Sequence, residues 1–283
     1  MKNVDKLIDS IREFPTLPTI YSSLLDVLSN PFSTIKDVTD IIIRDQSITS
    51  KIIKVANSPV FGTSTRVDTI SQAIFLLGFN EIKNIVLTVS IMKIFQNTKN
   101  FSYFNFIDLW KHSIGVGTIT RVLGSKLGIN NLENYFISGL LHDLGKLVFY
   151  KIFGEEYAKI LRYSFDNFEE IREIEKKTFG ITHEIAGEIL AEKWRFTTLL
   201  REVIKYHYLF RKNTEDDKLM ACVHLANIIA IAMNLGNSGS NAIYQPNYEI
   251  WGILNLSEGA LSSMYNEIMD VYTKSIDILN YSN

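Results

Sequence analysis

Cysteine is almost absent from this sequence. The 283 residues include a single cysteine, Cys222, which cannot form an intramolecular disulfide. Its neighbours Met220, Ala221 and Val223 are apolar, so we expect a small buried side chain of the kind found in reducing compartments. Residues 1–14 mix charged and apolar side chains and lack the continuous apolar core of a signal peptide. We therefore expect a soluble, cytoplasmic protein.

Proline and excess charge are also scarce. Only five prolines occur, whereas 46% of the residues are hydrophobic, which favours long helices around a large core. The net charge is −2 and no basic run is present, which argues against a nucleic-acid surface. The longest apolar stretch, residues 219–235, contains polar interruptions and is short for a membrane span. We predict an all-α protein that binds neither nucleic acid nor membrane.

The apolar pattern divides the chain near residue 100. Residues 1–100 predict several amphipathic helices, because apolar residues recur at spacings of three and four, and the segment around Gly78 interrupts one of them. The aromatic run 101–106 would be costly to leave in water, at roughly 1.5 to 3 kcal/mol for each fully buried side chain. We predict an N-terminal multi-helix subdomain, 1–100, packed on a C-terminal helical subdomain, 101–283.

All the histidines lie in the second of these segments. The five are His112, His142, His183, His207 and His224, and each falls on a predicted helix or at its end. A lone histidine is usually a hydrogen-bonded core residue, and we prefer that interpretation for His224. The clustering of the other four is the first indication of a shared site.

The dipeptide His142-Asp143 lies inside an apolar segment, residues 136–147. A buried carboxylate without a partner is costly. A divalent ion held by neighbouring imidazole and carboxylate groups is one solution. The alternative is a simple hydrogen bond between His142 and Asp143, with Lys146 exposed on the surface of the helix.

Three further segments can contribute to the same site. Asp108 and His112 stand four residues apart, so a helix would direct both side chains towards one place. His183 begins a predicted helix that Thr182 can cap, and His207 lies near the end of the next predicted helix. Four helices can therefore bring their histidines together.

This order of residues is similar to the ligand series of the HD superfamily of metal-dependent phosphohydrolases. Separate motifs in both halves of the chain narrow the resemblance to the HDOD family, and the likeness spans roughly residues 10–235. The motifs are Phe14-Pro-Thr-Leu-Pro18, Asp45-Gln46, Val55-Ala-Asn-Ser-Pro-Val-Phe-Gly62, Ala73-Ile-Phe-Leu-Leu-Gly78, His112-Ser113, Gly139-Leu-Leu-His-Asp-Leu-Gly-Lys146, His183-Glu-Ile-Ala-Gly187 and Trp194.

The resemblance implies an HD/PDEase-like helical domain and a role in bacterial signal transduction. It also implies a divalent metal ion, which could be Fe, Mn, Ni, Zn or Mg, and in an active enzyme Lys146 would steady a phosphate group. The candidate metal ligands are His112, His142, Asp143, His183 and His207, with Asp108 as an additional candidate.

The sequence departs from the family pattern at the end of this series. An aspartate on a late helix normally closes the HD series, and this chain has Asn227 there. An amide is uncharged and a weaker ligand, so both metal binding and the acidity of a bound water would change. In the branch that hydrolyses cyclic dinucleotides, a second histidine follows the fourth one, and here Tyr208 replaces it. The Gly-Tyr-Pro segment of that branch is absent from residues 209–215.

Two functions stay open after this comparison of residues. We expect a non-catalytic regulatory module with a degenerate active site, which acts by binding a signalling protein partner, or a small ligand or nucleotide in the histidine cleft. The alternative is a working metal-dependent phosphohydrolase that acts on nucleotides or cyclic dinucleotides. A metal ion fits either function.

Overall fold

The regular structure of this chain is helical. The computed structural model describes residues 4–57, 65–95, 101, 105–257 and 259–280, and these residues form fifteen α-helices and no β-strand. The prediction of an all-α protein is confirmed. Residues 58–62, the end of one predicted family motif, lie outside the described residues.

The helices range from six to 26 residues in length. In chain order they are α1 (Val4–Arg12), α2 (Thr19–Leu28), α3 (Ile35–Ile42), α4 (Gln46–Ala56), α5 (Ile70–Phe95), α6 (Phe106–Lys126), α7 (Leu132–Leu141), α8 (Leu144–Phe153), α9 (Glu155–Asn167), α10 (Ile171–Phe179), α11 (His183–Lys193), α12 (Thr198–Tyr206), α13 (Asp217–Ala232), α14 (Glu249–Leu254) and α15 (Ala260–Asn280).

The chain separates into two compact units. Unit 1 consists of Met1–Phe14 and Thr98–Met269, and unit 2 consists of Pro15–Asn97 and Asp270–Asn283. Helix α1 therefore belongs to the same unit as the histidine-bearing helices, although it lies at the other end of the sequence. The division into subdomains 1–100 and 101–283 stays a prediction.

In unit 2, polar side chains define where the helices begin. Thr34 and Asp37 form a capping box at the start of α3, which satisfies backbone N–H groups that the helix leaves unpaired. The carboxylate of Asp45 accepts a hydrogen bond from the backbone N–H of Ile48 at 3.0 Å and so begins α4. These local signals explain why the helix pattern of this segment is readable from the sequence.

Helix α5 passes the length and composition test for a membrane span. Its most apolar 18 residues have a mean hydropathy of 1.5, but 61% of that window is buried inside the protein. Gly78 also interrupts it with φ 80° and ψ 169°, at the break that the sequence predicts. Burial of this kind is typical of a core helix.

In unit 1, close helix packing brings the histidine-bearing helices together. Helix α6 packs against α7 and α13, and α11 packs against α8 and α12. The contact of α8 with α11 depends on Gly145, because a β carbon there would lie 1.7 Å from the carbonyl oxygen of His183. Any larger residue would push α11 away from the residues that precede α8.

Candidate metal centre

The break between α7 and α8 creates the centre of the site. His142 is the C-cap of α7 and Asp143 is the N-cap of α8. Both side chains are buried, with relative exposures of 0% and 2%. The carboxylate of Asp143 lies at the positive end of the α8 dipole, which favours its ionised form.

Four imidazole rings surround this carboxylate. Nε2 of His142 lies 3.2 Å from Oδ2 of Asp143, and Nε2 of His112 lies 3.9 Å from the same oxygen. On the other side, Oδ1 of Asp143 is 3.4 Å from Nε2 of His183 and 3.5 Å from Nε2 of His207. The structure therefore brings together the five residues that the sequence nominated most directly.

Asp108 does not join this cluster. Its side chain is 38% exposed, and its carboxylate accepts a hydrogen bond from the Asn105 amide at 2.7 Å. The ammonium group of Lys111 lies 3.5 Å from its other oxygen. The spacing of four residues from His112 placed Asp108 one turn away on α6, but the first turn of that helix holds its carboxylate in a local network.

Two of the histidines have their ring orientation fixed by their own helix ends. Nδ1 of His142 donates to the carbonyl of Gly139 at 2.7 Å. Nδ1 of His207 donates to the carbonyl of Ile204 at 3.0 Å. Because a carbonyl accepts from Nδ1 of each ring, Nε2 is the nitrogen that faces Asp143 and is the atom that would bind an ion.

A carboxylate fixes the third histidine. Nδ1 of His183 donates to Oε2 of Glu175 at 2.7 Å, and the same oxygen accepts from the His183 backbone N–H at 2.8 Å. Tyr157 donates to the other oxygen of Glu175 at 2.6 Å. Burial and the neighbouring Glu175 raise the pKa of Tyr157 well above its usual value. A histidine oriented by a carboxylate in this way is typical of a metal ligand.

The protonation states of these groups favour a cation. Burial alone would raise the pKa of Asp143, but His142 and Lys146 hold it well below its usual value. Burial lowers the pKa of His207 to about 4, so its ring is neutral near pH 7. Burial lowers the pKa of His183, but Glu175 and Glu184 outweigh burial and raise it. The ionised carboxylate therefore faces the neutral ring of His207, and a metal ion would replace any proton that His183 carries on Nε2.

Unsatisfied polar atoms mark the same place. Nε2 of His142, Oδ1 of Asp143 and Nε2 of His183 are buried and have no hydrogen-bond partner among the residues that the structure describes. Such atoms are costly without a proton or a cation between them. The donor set of imidazole nitrogens and one carboxylate oxygen fits a divalent transition metal ion.

Lys146 already supplies one positive charge to the carboxylate. Its Nζ atom donates to Oδ2 of Asp143 at 2.8 Å and to the backbone carbonyl of Ser238 at 3.0 Å. The side chain is buried, with a relative exposure of 4% for the residue. The alternative interpretation of Lys146 as an exposed helix residue is therefore wrong.

The fourth histidine is held by an amide. Nε2 of His112 lies 3.1 Å from Oδ1 of Asn227, and Nδ2 of Asn227 donates to the hydroxyl of Tyr244 at 3.1 Å. Burial lowers the pKa of His112 to about 3, so its ring is neutral. Because an amide oxygen only accepts, the single ring proton of His112 lies on Nε2 and that nitrogen offers no lone pair to an ion.

His224 is a core residue, as the sequence predicts. Its Nδ1 atom donates to the backbone carbonyl of His207 at 2.8 Å, and its Nε2 atom accepts from the backbone N–H of Asn247 at 3.1 Å. The ring therefore supports the helix end that carries His207. It uses both of its nitrogen atoms in doing so.

Sequence reasoning missed three residues around the site. Glu175 was hidden in a charged run on α10, and only its spacing of eight residues from His183 hinted at a role. Glu184 lies beside His183 in the family motif and pairs with Arg172; His183, His207 and Arg172 together outweigh burial and lower its pKa to about 2. Tyr244 lies in a loop, where no periodicity points to it.

Comparison with known proteins matches most of the chain to one family. The family model described as the HDOD domain matches residues 14–210. The chain spans 43% and 30% of the lengths of two curated relatives, to which it is 24% and 30% identical over 224 and 128 residues. Each of those relatives is therefore much longer than this chain.

Solved structures share the fold over almost the whole chain. An HDOD domain protein from Geobacter sulfurreducens superposes with a TM-score of 0.78 at 24% identity, covering 98% of this chain and 99% of that one. A protein from Shewanella amazonensis SB2B, provisionally named a phosphohydrolase, gives 0.71 at 22%, covering 95% and 97%. A protein from Marinobacter aquaeolei VT8, provisionally named a signal transduction protein, gives 0.75 at 18%, covering 95% and 60%. At these identities the likeness shows the fold alone.

Proposed function

Because this chain belongs to the HDOD domain family, we propose that it is a non-catalytic regulatory module of bacterial signal transduction, built on a degenerate HD metal-phosphohydrolase scaffold. In this proposal the module acts in the cytoplasm by binding a signalling protein, or a small ligand or nucleotide at the histidine cleft. The provisional names of the solved structures include both a phosphohydrolase and a signalling protein, so these names do not distinguish the two functions. The proposal therefore rests on the residues of this site.

The contact between Asn227 and His112 carries the proposal. In the family pattern an aspartate closes the ligand series at position 227. Here an uncharged amide lies 3.1 Å from Nε2 of His112. One negative charge is lost and one imidazole is committed to a hydrogen bond, so the site offers fewer ligands and less charge to make a water molecule reactive.

The remaining residues still fit a metal ion. His142, His183 and His207 would hold it together with Asp143, and an imidazole-rich set favours Fe, Ni or Zn over Mg, whereas Mn also suits the carboxylate. When bound, a divalent ion lowers the pKa of a water molecule in its coordination sphere. The chain's own residues orient the three rings, hold their protons on Nδ1 and keep the carboxylate ionised.

Exposed apolar side chains in unit 2 support a protein partner. Phe32 is 87% exposed and Phe75 is 78% exposed, and Ile43 and Leu76 are also exposed. The hydroxyls of Thr39 and Ser71 lie 3.1 Å apart, which places α3 beside the first half of α5. Phe32 lies in the turn before α3, Ile43 directly follows α3, and Phe75 and Leu76 lie on α5. A cluster of exposed apolar groups of this kind would suit an interaction surface.

A specific observation favours the alternative function, a working phosphohydrolase. The Nε2 atoms of His183 and His207 face Oδ1 of Asp143, and that of His142 faces Oδ2, as the ligands of an active site would. Lys146, the residue expected to steady a phosphate, is directly beside the carboxylate. The alternative therefore needs Asn227 to be tolerated as a neutral neighbour of the ion.

The decisive experiment measures metal content and hydrolysis together. The full chain is purified without chelators, its metal content is determined by elemental analysis, and it is assayed against generic phosphoesters, nucleotides and cyclic dinucleotides. We expect no turnover with the wild-type chain. We expect Asn227→Asp to gain metal occupancy, and any turnover it acquires would support the loss of the carboxylate as the cause of inactivity.

His142→Ala serves as the control for any activity that appears. Turnover by the wild-type chain that this variant abolishes would overturn the non-catalytic proposal and support the phosphohydrolase. Turnover that survives in His142→Ala would instead belong to a contaminating enzyme. Metal that is bound without turnover would support a structural or sensing ion.

A further inference from the structure

A loop in unit 1 is tied to the candidate metal centre. Residues 234–241, here called the asparagine-serine loop, connect α13 to α14 and contain two glycines. The backbone N–H of Asn237 donates to the carbonyl of Asp108 at 2.9 Å. Gly236 lies so close to α6 that a β carbon would be 2.2 Å from the backbone nitrogen of His112. The loop therefore rests on the same turn of α6 that carries a candidate ligand.

Lys146 joins this loop to the metal centre. Its Nζ atom contacts the Asp143 carboxylate and the Ser238 carbonyl at the same time. Because the ammonium group is buried, both contacts are made away from bulk water. Whatever displaces Lys146 from Asp143 therefore also alters the hold on Ser238.

We propose that Lys146 is a tethered cation that competes with a divalent ion for Asp143 and releases the asparagine-serine loop when the ion binds. The inference rests on the proposed metal site and deepens the regulatory function by naming the element that would change. Binding of the ion would thereby change the conformation of a surface loop in unit 1.

The competition follows from charge and position. An ion coordinated by Asp143 would lie within a few ångströms of the ammonium group, and two cations that close repel strongly in a site of low polarity. His142, His183 and His207 are fixed through their Nδ1 atoms, so these rings have little freedom to move away. Lys146 has a flexible four-carbon side chain and is the group that can withdraw.

A cavity beside the loop gives the loop room to move. It has a volume of about 90 Å³, and its lining includes His112, Asn237, Ser238 and Asn241. The lining also includes apolar side chains, among them Phe165 and Leu235. Its amides, hydroxyls and backbone atoms can be satisfied by a few water molecules if the contact with Lys146 is lost. The cavity therefore offers the polar groups around Ser238 alternative partners, although Gly239 stays in close contact with Leu161.

Hydrogen exchange of the wild-type chain tests the release directly. Amide exchange is followed by mass spectrometry in peptides that cover residues 236–241, with and without saturating Mn²⁺. We expect exchange to become about fivefold faster or more with the ion, in line with typical coupling between two sites. Unchanged or slower exchange at saturating Mn²⁺ would overturn the proposal.

A pair of variants tests the competition. Lys146→Met removes the buried charge with little change in volume, and Lys151→Met removes an exposed charge from the same helix as the matched control. By calorimetry we expect Lys146→Met to bind Mn²⁺ about tenfold more tightly than the wild-type chain and Lys151→Met to differ by less than about threefold. We also expect Mn²⁺ to leave the loop exchange of Lys146→Met unaltered, because it is already fast.

The outcomes separate this inference from the proposed function. Equal Mn²⁺ affinity for the two variants would overturn the competition, and so would an absence of binding in both the wild-type chain and Lys146→Met. Binding that appears only in Lys146→Met would support it. If Lys146→Met does not fold, Lys146→Gln takes its place in the same comparison. Metal-independent loop exchange would end this inference but leave a non-catalytic role standing, whereas hydrolysis abolished by His142→Ala would end the non-catalytic role alone.

Discussion

The two sides of the candidate site differ in how their polar groups are committed. On one side, here called the oriented side, His142, His183 and His207 hold their protons on Nδ1 and present Nε2 to Asp143. On the other side, called the amide side, His112 directs Nε2 to Asn227. The same residue type therefore offers a lone pair on one side and a proton on the other.

The hydrogen-bond partner of each histidine therefore determines whether its ring can bind an ion. When a carbonyl or carboxylate accepts from Nδ1, Nε2 stays available to bind an ion. When an amide oxygen accepts from Nε2 instead, that nitrogen carries the proton and cannot bind an ion. Counting histidines therefore overstates the ligand set of this site. Variants that replace the partner groups test whether the two sides differ in their effects on Mn²⁺ affinity and stability.

The largest effect is expected when the shared carboxylate is neutralised. Asp143→Asn should abolish Mn²⁺ binding and lower the free energy of unfolding by about 3 to 5 kcal/mol, because Lys146 is left buried without its counterion. Calorimetry and urea denaturation measure the two effects. Asp108→Asn is the matched control, since its half-exposed carboxylate lies outside the cluster and should change Mn²⁺ affinity little. Equal losses in both variants would contradict the assignment of Asp143 to the centre.

The amide side is tested by restoring a charge. Asn227→Asp should tighten Mn²⁺ binding by about tenfold or more, because a second carboxylate adds attraction for the ion in a buried site. Without metal, the same variant should be less stable than the wild-type chain, since burying a new charge costs more than a hydrogen bond from the neutral His112 ring returns. Thermal unfolding with and without Mn²⁺ reads both effects. If Asn227→Asp were equally stable with and without Mn²⁺, the side chain at position 227 would not interact with a bound ion.

The oriented side is tested by weakening a partner of Nδ1. Glu175→Gln should lower Mn²⁺ affinity by about tenfold, because the amide still accepts from His183 but no longer holds it with a charge. Glu173→Gln on the same helix controls for the loss of one negative charge. An affinity that matches the control would mean that Glu175 supports the fold without orienting the ring.

The smallest effect is expected at the edge of the amide side. Tyr244→Phe removes the hydroxyl that accepts from Asn227 and should cost about 1 kcal/mol of stability, with a change in Mn²⁺ affinity below about threefold. Urea denaturation and calorimetry measure the two quantities. If Tyr244→Phe lost as much Mn²⁺ affinity as Glu175→Gln, the amide side would contribute to ion binding as much as the oriented side does.

Local signals in the sequence were sufficient for the helices and for part of the site. The apolar spacing predicted an all-helical chain and the break at Gly78, because helix formation depends mainly on neighbouring residues. The motif around His142 and Asp143 identified the central carboxylate, because a charged residue in an apolar run needs a partner. Asp108 shows the limit of this reasoning, since a spacing of four gave the correct helix face but not the carboxylate's actual hydrogen bonds.

Periodicity and capping establish which helices form and the order in which the histidines occur along them, since both act over a few residues. Three contacts became visible only in the folded chain: Glu175 orients His183, Asn227 accepts a hydrogen bond from Nε2 of His112, and Lys146 connects Asp143 to Ser238. The contacts of His183 with Glu175, of Lys146 with Ser238 and of His112 with Asn227 join residues 8, 92 and 115 positions apart. They depend on how the helices pack, which no short pattern of residues encodes.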